Sequence, residues 1–347
     1  MSSNLLAGIH VDPPFRCPPD VRLEELVTIS SAGFSETSHR LQFQNFLVQL
    51  GILGGHIENR DIKIKPGRIL DAGCGDFMFG ALWEPWFLPY LSGLGVDLSG
   101  YHLIALDINK RKVHRAKLLN ERLGNAHLVL DPASLGDCDL ARLTYGGKLN
   151  GDYKPGNSVV KLADQNLTMI ISNSVFHWLT DKQKSQALKD FYQVQPKGGV
   201  LMFNAAVAGT AEVFLRAYRI AMMKTLGSYG SIDEDTRRFI NNPIGFSEDG
   251  KLEGMVKAAG YKLIDARQIK TSITYKEPDD YLDAAFIYGF QDFTRPLIVR
   301  KMNHESRKKW WMKELRPLFL KYAKAGGKGI KPWYYSQTNL YVVAVKA

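Results

Sequence analysis

The hydrophobic positions of the chain form short apolar runs that alternate with segments of helical periodicity. Runs such as Arg68–Leu70, His102–Asp107 and Leu167–Asn173 have the length and composition of buried strands. Between them, apolar residues recur every three or four positions, as in Ile108–Leu119 and Thr180–Val194. Strands that alternate with helices in this way predict an α/β domain with a mostly parallel sheet.

The same patterns predict further elements on both sides of this central part. The additional helices are expected over Ser38–Leu50, Phe79–Leu91, Ala211–Leu226, Ser247–Ala259, 279–292 and 304–324, and the additional strands over Ala126–Leu130, Val200–Asn204, Tyr261–Ile269 and Asn339–Lys346. Gly51 and the pair Gly54–Gly55 should end the first helix, and Pro317 should kink the last one. Residues 134–160 predict a surface loop or hairpin.

A glycine turn follows the strand Arg68–Leu70. Asp71 lies at the carboxyl end of this strand, and Gly73 and Gly75 form the turn. Glycines allow positive φ and let a ligand approach the backbone closely, and a helix after the turn would offer N–H groups to that ligand. The third glycine of the dinucleotide-binding fingerprint is replaced by Met78, which argues against NAD and FAD.

Two later acids compete for the role of binding a ribose. Asp97 is 22 residues after Gly75, close to the spacing of about 20 residues in βαβ nucleotide-binding units, and Asp107 is 32 residues after it. Asp107, however, directly follows an apolar strand and precedes an amphipathic helix. Because ligands bind at the carboxyl ends of strands in such sheets, we choose Asp107 and infer an insertion near residues 92–101.

Two motifs carry a resemblance to a known family. The run Ile69-Leu-Asp-Ala-Gly-Cys-Gly75 resembles the first motif of class I S-adenosylmethionine-dependent methyltransferases. The run Ser172-Asn-x-x-x-His-Trp178, followed by a helix and Pro196-Lys-Gly-Gly199, resembles a group that includes trans-aconitate, malonyl-carrier-protein and juvenile-hormone-acid methyltransferases. All of these methylate a carboxylate. The resemblance covers residues 66–207 well and the remainder in outline.

The resemblance implies a doubly wound, seven-stranded Rossmann-like sheet of the α/β class. The sheet should be mostly parallel, with strand seven antiparallel between strands five and six. The expected parts are an N-terminal arm and lid helix over residues 1–65, the cofactor-binding core over 66–207, a cap insertion over 208–247, and the rest of the sheet with a helical, basic cap segment over 248–347.

The family also implies S-adenosylmethionine as the cofactor. The residues that the resemblance assigns to cofactor binding are Asp71, Gly73, Cys74, Gly75, Asp107, Ile108, Asp131 and Asn173. Two of these have simpler interpretations: Cys74 is a small apolar filler of the turn, and Asp131 forms an Asx turn before Pro132.

The expected acceptor pocket consists of Phe176, His177 and Trp178. Methyl transfer from a sulfonium requires alignment of the reacting atoms and exclusion of water, and a carboxylate acceptor is already ionised at pH 7. Neither a general base nor a metal is therefore required. His177 can orient an acidic oxygen, act as a base towards a hydroxyl, or simply pack at a helix start.

The predicted activity is methyl transfer to a carboxylate or hydroxyl oxygen of a small or medium organic molecule, such as a secondary metabolite. A cyclase that uses the methyltransferase fold and a cofactor-binding protein without transfer activity are the alternatives. A nucleic-acid methyltransferase is disfavoured, because Ser172-Asn-Ser-Val175 replaces the Asn/Asp-Pro-Pro-Tyr of amino-methylating types and provides no nucleophilic cysteine.

The net charge of +10 comes from one segment. Residues Arg295–Lys331 contain twelve Lys or Arg and two acids, so the rest of the chain is neutral. A helical apolar stripe in this segment consists of Trp311, Leu315, Leu318, Phe319 and Tyr322, surrounded by the charges of Arg307, Lys308, Lys309, Lys313, Arg316 and Lys324. This surface is either a solvated face or a docking site for an acidic partner: a carrier protein, anionic lipid or nucleic acid.

The remaining composition predicts a cytoplasmic protein. Cys17, Cys74 and Cys138 have neither disulfide nor metal-binding spacing, so we expect a reducing compartment and no metal. The N-terminus lacks the layout of a signal peptide, and no apolar run approaches the roughly 18 residues of a membrane span. The sequence indicates no oligomeric state.

Overall fold

The structure is a computed structural model. It describes residues 10–11, 36–75, 79–80, 87–97, 101–123, 127–130, 133–138, 140, 144–146, 159–207, 212–227, 232–241, 243, 245–275, 277, 279, 282–283, 285–286, 293–298, 300–326 and 333–347. The strands are β1 (His10–Val11), β2 (Arg68–Ala72), β3 (His102–Leu106), β4 (Leu128–Val129), β5 (Thr144–Gly146), β6 (Val159–Lys161), β7 (Leu167–Asn173), β8 (Val200–Ala206), β9 (Tyr261–Tyr275) and β10 (Trp333–Lys346). The helices are α1 (Glu36–Glu58), α2 (Leu88–Gly93), α3 (Lys110–Arg122), α4 (Asp181–Val194), α5 (Glu212–Leu226), α6 (Glu234–Asn241), α7 (Lys251–Ala258), α8 (Arg295–Ile298), α9 (His304–Trp310) and α10 (Arg316–Gly326).

One large sheet has the strand order β1-β9-β10-β8-β7-β2-β3-β4. Strands β8, β7, β2, β3 and β4 are parallel, and β10 is antiparallel to both β8 and β9. The predicted Rossmann-like sheet, with its last strand inserted antiparallel, is therefore confirmed. The structure adds an eighth strand, since β1 pairs antiparallel with β9. Two residues are too few to carry a periodic signal, so the sequence did not predict β1.

Successive strand residues point to opposite faces of the sheet, and each face has its own core. On β2, Ile69 belongs to the cluster that includes α1, α2 and α3, whereas Leu70 belongs to the cluster that includes α4 and α7. Because both faces are covered, the central strands are continuously apolar rather than alternating. The smaller pair β5–β6 is antiparallel and extends to Lys161, one residue beyond the segment 134–160 that was expected to form a surface loop or hairpin.

Helix α1 is longer than its sequence predicts. It runs to Glu58 through Gly51 and Gly54, which were expected to end it. A Cβ on Gly54 would lie 1.9 Å from the hydroxyl oxygen of Tyr90, so the glycine permits close packing against α2. Burial of apolar side chains such as Leu53, which is 0% exposed, outweighs the low helix propensity of glycine.

The crossover helix predicted over Phe79–Leu91 is seen in two described pieces. Phe79 and Gly80 are helical, residues 81–86 lie outside the described residues, and α2 begins at Leu88. Phe87 is already helical, and Pro89 lies in the first turn of α2, where no backbone N–H is needed.

The helices α5 and α6, together with those between β9 and β10, share an aromatic core and are called the cap below. Its buried side chains come from α5, α6 and the helices between β9 and β10, and include Phe214, Tyr218, Phe293, Trp310, Trp311 and Phe319. The five residues Trp311–Leu315 are π-helical and directly precede the turn of Pro317, which has no N–H to continue the α-helical ladder. Among the described residues, no helix is long and apolar enough to cross a membrane.

Candidate functional site

The glycine turn connects β2 to the carboxyl end of β3. Gly73 has φ +87° and Gly75 has φ +54°. The N–H groups of Gly73 and Cys74 donate to the Leu106 carbonyl oxygen at 2.7 and 2.9 Å, and the N–H of Gly75 donates to Asp107 Oδ2 at 2.9 Å. All three N–H groups are therefore used within the protein. The turn contributes its shape rather than free donors.

Glycine is required at position 73 for two reasons. Its φ is strongly positive, and an added Cβ would come within 2.3 Å of Val175 Cγ2. Gly75 differs, because the only atom of the described residues near an added Cβ there would be Lys112 Nζ, at 3.9 Å. The close neighbour of Gly73 is thus a side chain from the segment after β7.

Asp71 is a buried acid in an unusual electrostatic position. It is the last residue but one of β2, the residue is 3% exposed, and its Oδ2 has no hydrogen-bond partner among the described residues. Burial, and then the negative charge of Asp107, raise the pKa of Asp71 to about 8. A cationic group placed at this carboxylate would relieve both the desolvation and the repulsion.

Asp107, not Asp97, lies beside the glycine turn. Asp107 follows β3, and its Oδ1 also accepts the N–H of Asn109 at 2.8 Å. Asp97 precedes β3, where its charge acts on the Tyr101 hydroxyl at the opposite end of the strands. The geometry agrees with the choice of Asp107, whose role in binding a ribose stays a prediction.

Of three further candidate residues for cofactor binding, the structure describes Ile108 and Cys74 but not Asp131. Ile108 is 64% exposed, which leaves an apolar side chain on the surface beside Asp107. Asp131 lies outside the described residues. Cys74 is buried in the turn, as a small apolar filler would be.

Both polar atoms of the Asn173 side chain form hydrogen bonds within the protein. Its Nδ2 donates to the Gln42 carbonyl oxygen on α1 at 2.9 Å, and its Oδ1 accepts from Asn204 Nδ2 at 2.7 Å. Asn204 lies directly opposite Asn173 in the pairing of β7 with β8. The amide thus joins α1 to the sheet.

The Asn173–Asn204 pair belongs to a larger network of buried amides that the sequence did not predict. Asn45 on α1 donates from Nδ2 to Ser174 Oγ at 3.1 Å. Asn45 Oδ1 accepts from Asn339 Nδ2 at 3.0 Å and from the Tyr341 hydroxyl at 2.9 Å. The signal that could have found it is the presence of asparagines inside otherwise apolar strands, because buried amides must find partners.

His177 is buried in a single 3₁₀ turn, Phe176–Trp178, at the ends of β7 and β8. Its Nδ1 accepts the N–H of Ala206 at 3.2 Å. Burial, and then the charge of Lys184, lower the pKa of His177 to about 3. The imidazole is therefore neutral at pH 7, and its hydrogen is on Nε2. In this form Nε2 is a donor and the lone pair of Nδ1 is already used.

The two aromatic neighbours of His177 have different surroundings. Phe176 is completely buried and stacks on Phe203 with ring centroids 4.3 Å apart. Trp178 is 47% exposed, and its ring centroid is 5.2 Å from that of His177. Phe176 therefore belongs to the hydrophobic core, and Trp178 is the aromatic residue of this turn that can line a pocket.

The acidic and sulfur-containing side chains do not form a metal centre in the part of the chain that the structure describes. No group of three or more His, Cys, Asp or Glu side chains is placed to hold a metal ion there.

Comparison with known proteins gives distant matches. No family model matches the chain. The malonyl-acyl-carrier-protein O-methyltransferase of Hamiltonella defensa is 22% identical over 156 residues, which is 45% of this chain and 44% of that protein. The chain thus matches less than half the length of this curated relative. The match is nevertheless to the group that the two sequence motifs resemble.

Solved structures give matches of low similarity over most of the chain. A protein provisionally described as a sarcosine dimethylglycine methyltransferase, from Galdieria sulphuraria, is 12% identical with a TM-score of 0.45, covering 93% of this chain and 97% of that one. A cyclase is 14% identical with a TM-score of 0.38, covering 85% of this chain and 80% of that one.

Proposed function

We propose that the chain is an S-adenosylmethionine-dependent methyltransferase that methylates a carboxylate oxygen of a small or medium organic acid. The two sequence motifs and the curated relative support methyl transfer to oxygen. The observation that carries the preference for a carboxylate is the bonding of His177, whose Nδ1 accepts a backbone N–H.

The residues around the glycine turn fit the cofactor. The Oδ2 of buried Asp71, which has no partner among the residues that the structure describes, suits a cationic amino-acid group. Each oxygen of Asp107 accepts one N–H and keeps a lone pair for a ribose hydroxyl, and the exposed Ile108 suits the face of a purine. When bound, the cofactor supplies the activated methyl group. Asn173 is left out of the cofactor site because its amide is bonded within the protein, and Phe176 is left out of the acceptor pocket because it lies in the core.

Because His177 can donate but not accept a further hydrogen bond, it favours some methyl acceptors over others. A hydroxyl or phenol acceptor loses a proton during methyl transfer, and Nδ1 of His177 has no free lone pair to take it. A carboxylate has already lost its proton and accepts a hydrogen bond from Nε2–H. We assign His177 to orienting the acceptor carboxylate, with the exposed ring of Trp178 as part of the pocket wall.

The test is a screen of acids, phenols, amines and nucleic acid with cofactor labelled in its methyl group. Labelled product is expected from carboxylic acids, and kcat/KM should show no limb near the ordinary histidine pKa of about 6.5. His177→Asn, which keeps a donor amide, should lose less activity than His177→Leu, for which we expect a loss of about 100-fold.

Each failure has a distinct meaning. Label confined to phenols, amines or nucleic acid would contradict the carboxylate assignment. Product formation without label transfer would indicate the cyclase alternative. Cofactor binding without any product would indicate the protein without transfer activity.

The name of the curated relative supports a second element of the proposal, an acidic carrier protein that presents the acid. On the cap, Lys309 and Lys313 are exposed, and Met312 between them is 55% exposed. Several other charges of the basic segment are used internally: Arg307 is buried and bonds Thr294 Oγ1 at 2.9 Å, and Arg316 pairs with Asp279. The prediction that Arg307 contributes to the surface charge is therefore wrong.

The test of carrier docking is a charge reversal, Lys309→Glu with Lys313→Glu. Turnover of an acid attached to a carrier protein should fall and lose its dependence on salt, while turnover of the free acid stays unchanged. The matched control is Lys257→Glu with Lys262→Glu, which makes the same change on α7 and at the start of β9, the end of that strand opposite to the one that the basic segment follows. Equal effects of the two pairs would contradict specific docking.

A further inference from the structure

Ser174 is the pivot between β7 and the turn that carries His177. It is a serine with φ +61°, in the left-handed region. This conformation is unfavourable for any residue with a Cβ, so the surrounding structure must hold it. The sequence offers no glycine at this position.

Asn204 supplies the contacts that hold this conformation. Its Oδ1 accepts the N–H of Ser174 at 3.0 Å and lies 3.3 Å from Ser174 Oγ. Its Nδ2 is fixed in turn by Asn173 Oδ1 at 2.7 Å, and Asn204 is 0% exposed. The second support of Ser174 is Asn45, whose Nδ2 donates to Ser174 Oγ.

Two functional parts follow Ser174 directly. The next residue, Val175, lies against the glycine turn, since its Cγ2 would be 2.3 Å from a Cβ on Gly73. Two residues further on, His177 reaches the N–H of Ala206. A different φ at Ser174 would redirect both residues at once.

We propose that Asn204 is a positioning residue of the methyl-transfer site. Asn204 holds Ser174 in its left-handed conformation, and this conformation places Val175 against the glycine turn and His177 within hydrogen-bond reach of the Ala206 N–H. The expected effect of Asn204 on activity rests on the proposed function. Its effect on the conformation of His177 does not depend on that function.

The experiment compares Asn204→Ala, Ser174→Gly and the double variant. Asn204→Ala should lower kcat/KM for the acid by about 100-fold, the loss expected from a displacement of about 1 Å at a reacting site. Glycine adopts positive φ without support, so the double variant should recover to within about tenfold of the wild type. Its melting temperature should stay near that of Asn204→Ala, because glycine restores none of the bonds of Asn204.

A second readout needs no turnover. The ¹⁵N signals of the His177 ring should show the Nε2–H form in the wild type, lose it in Asn204→Ala, and regain it in the double variant. Gln195→Ala is the matched control, because Gln195 is a buried amide whose Nε2 bonds the Val200 carbonyl at 2.9 Å, at the amino end of β8. It should lower the melting temperature and leave both readouts unchanged.

The inference is overturned if Asn204→Ala leaves both readouts at wild-type values, or if the double variant recovers neither. Should Asn204→Ala fail to fold, Asn204→Asp replaces it, because a carboxylate keeps an oxygen for the Ser174 N–H. A folded Asn204→Asp protein should retain the Nε2–H signal of His177, and loss of that signal would also overturn the inference. A wild type with no turnover but with the expected ¹⁵N pattern refutes the proposed function and leaves the positioning role supported.

Discussion

Two turns at the carboxyl edge of the sheet reach the same region of backbone conformation by different means. The turn after β2 uses Gly73 and Gly75, for which positive φ has little cost. The turn after β7 uses Ser174, whose positive φ is held by Asn204 and Asn45, 30 and 129 residues away in sequence. The first turn is thus specified locally, whereas the second depends on β8 and α1.

The two turns also contact each other. Val175, which follows Ser174, occupies the space where a side chain at position 73 would have to go. The glycine turn is therefore shaped by the second turn as well as by its own residues. Substitutions in either turn should reveal how strongly each depends on the other.

The largest effect is expected from Gly73→Ala. The strained φ contributes about 1–2 kcal/mol and the overpacking against Val175 about 1–3 kcal/mol, so we expect a loss of roughly 2–5 kcal/mol in the free energy of unfolding. Binding of S-adenosylmethionine should be abolished. Urea denaturation and titration calorimetry measure the two effects.

Two further variants separate the causes. Gly75→Ala brings its Cβ no closer than 3.9 Å to any atom that the structure describes beyond its chain neighbours, and should lose only about 1 kcal/mol, from its positive φ. Val175→Ala added to Gly73→Ala removes the two shortest contacts, at 2.3 and 2.9 Å, leaves the Val175 Cβ at 3.1 Å, and should recover part of the stability. If the double variant is no more stable than Gly73→Ala alone, the contact between the turns is not the reason for the glycine.

Asp71→Asn should separate stability from binding. Burial and the charge of Asp107 raise the pKa of Asp71 from 3.8 to about 8, so the folded protein binds more protons than the unfolded chain between these values. The contribution of this acid to stability is therefore complete below the unfolded pKa and is lost as the pH rises through the folded pKa, with a slope of up to about 1.4 kcal/mol per pH unit.

Asp71→Asn lacks this slope, so its stability relative to the wild type should increase between pH 5 and pH 8, as measured by urea denaturation. The variant should nevertheless fail to bind the cofactor. Wild-type binding at pH 7 should release protons, which calorimetry in buffers of different ionisation enthalpy detects. Parallel stability profiles for the two proteins would contradict a raised pKa for Asp71.

A smaller effect is expected from Asp107→Ala, which removes the acid on the other side of the glycine turn. The loss of a charged acceptor should weaken cofactor binding by about 1.5–3 kcal/mol. Asp97→Ala is the control and should change binding little, because Asp97 lies before β3. The reverse result, measured by calorimetry, would show that the spacing in sequence is the better guide.

The elements that the sequence predicted well are those whose signals are local. Strand β7 has the predicted bounds, because its burial on both faces requires a continuous apolar run. Helix α4 begins where predicted, because Thr180 and Gln183 form a capping box. The glycine turn and Asp107 are adjacent in space as expected, since parallel strands end at one edge.

The features that the sequence missed depend on contacts between distant segments. The position of Asn204 inside an apolar strand indicates burial, but nothing local names its partners, and nothing local distinguishes Asn45 on α1 from a surface amide. Arg307 resembles its lysine neighbours in sequence, and only the packing of the cap buries it against Thr294. The length of α1 is likewise set by packing against α2, which overrides its glycines.

The smallest effect should come from Ser174→Gly, which gives the second turn the chemistry of the first. Glycine relieves about 1 kcal/mol of left-handed strain, but it loses two side-chain hydrogen bonds of about 1 kcal/mol each and gains freedom in the unfolded chain, so we expect a net loss of about 1–2 kcal/mol. Ser174→Ala loses the same bonds and keeps the strain, so it should be about 1 kcal/mol less stable than Ser174→Gly. Urea denaturation of the two variants decides the point. If Ser174→Ala is more stable than Ser174→Gly, the left-handed conformation at position 174 costs less free energy than its φ implies. The contrast between the two turns would then disappear.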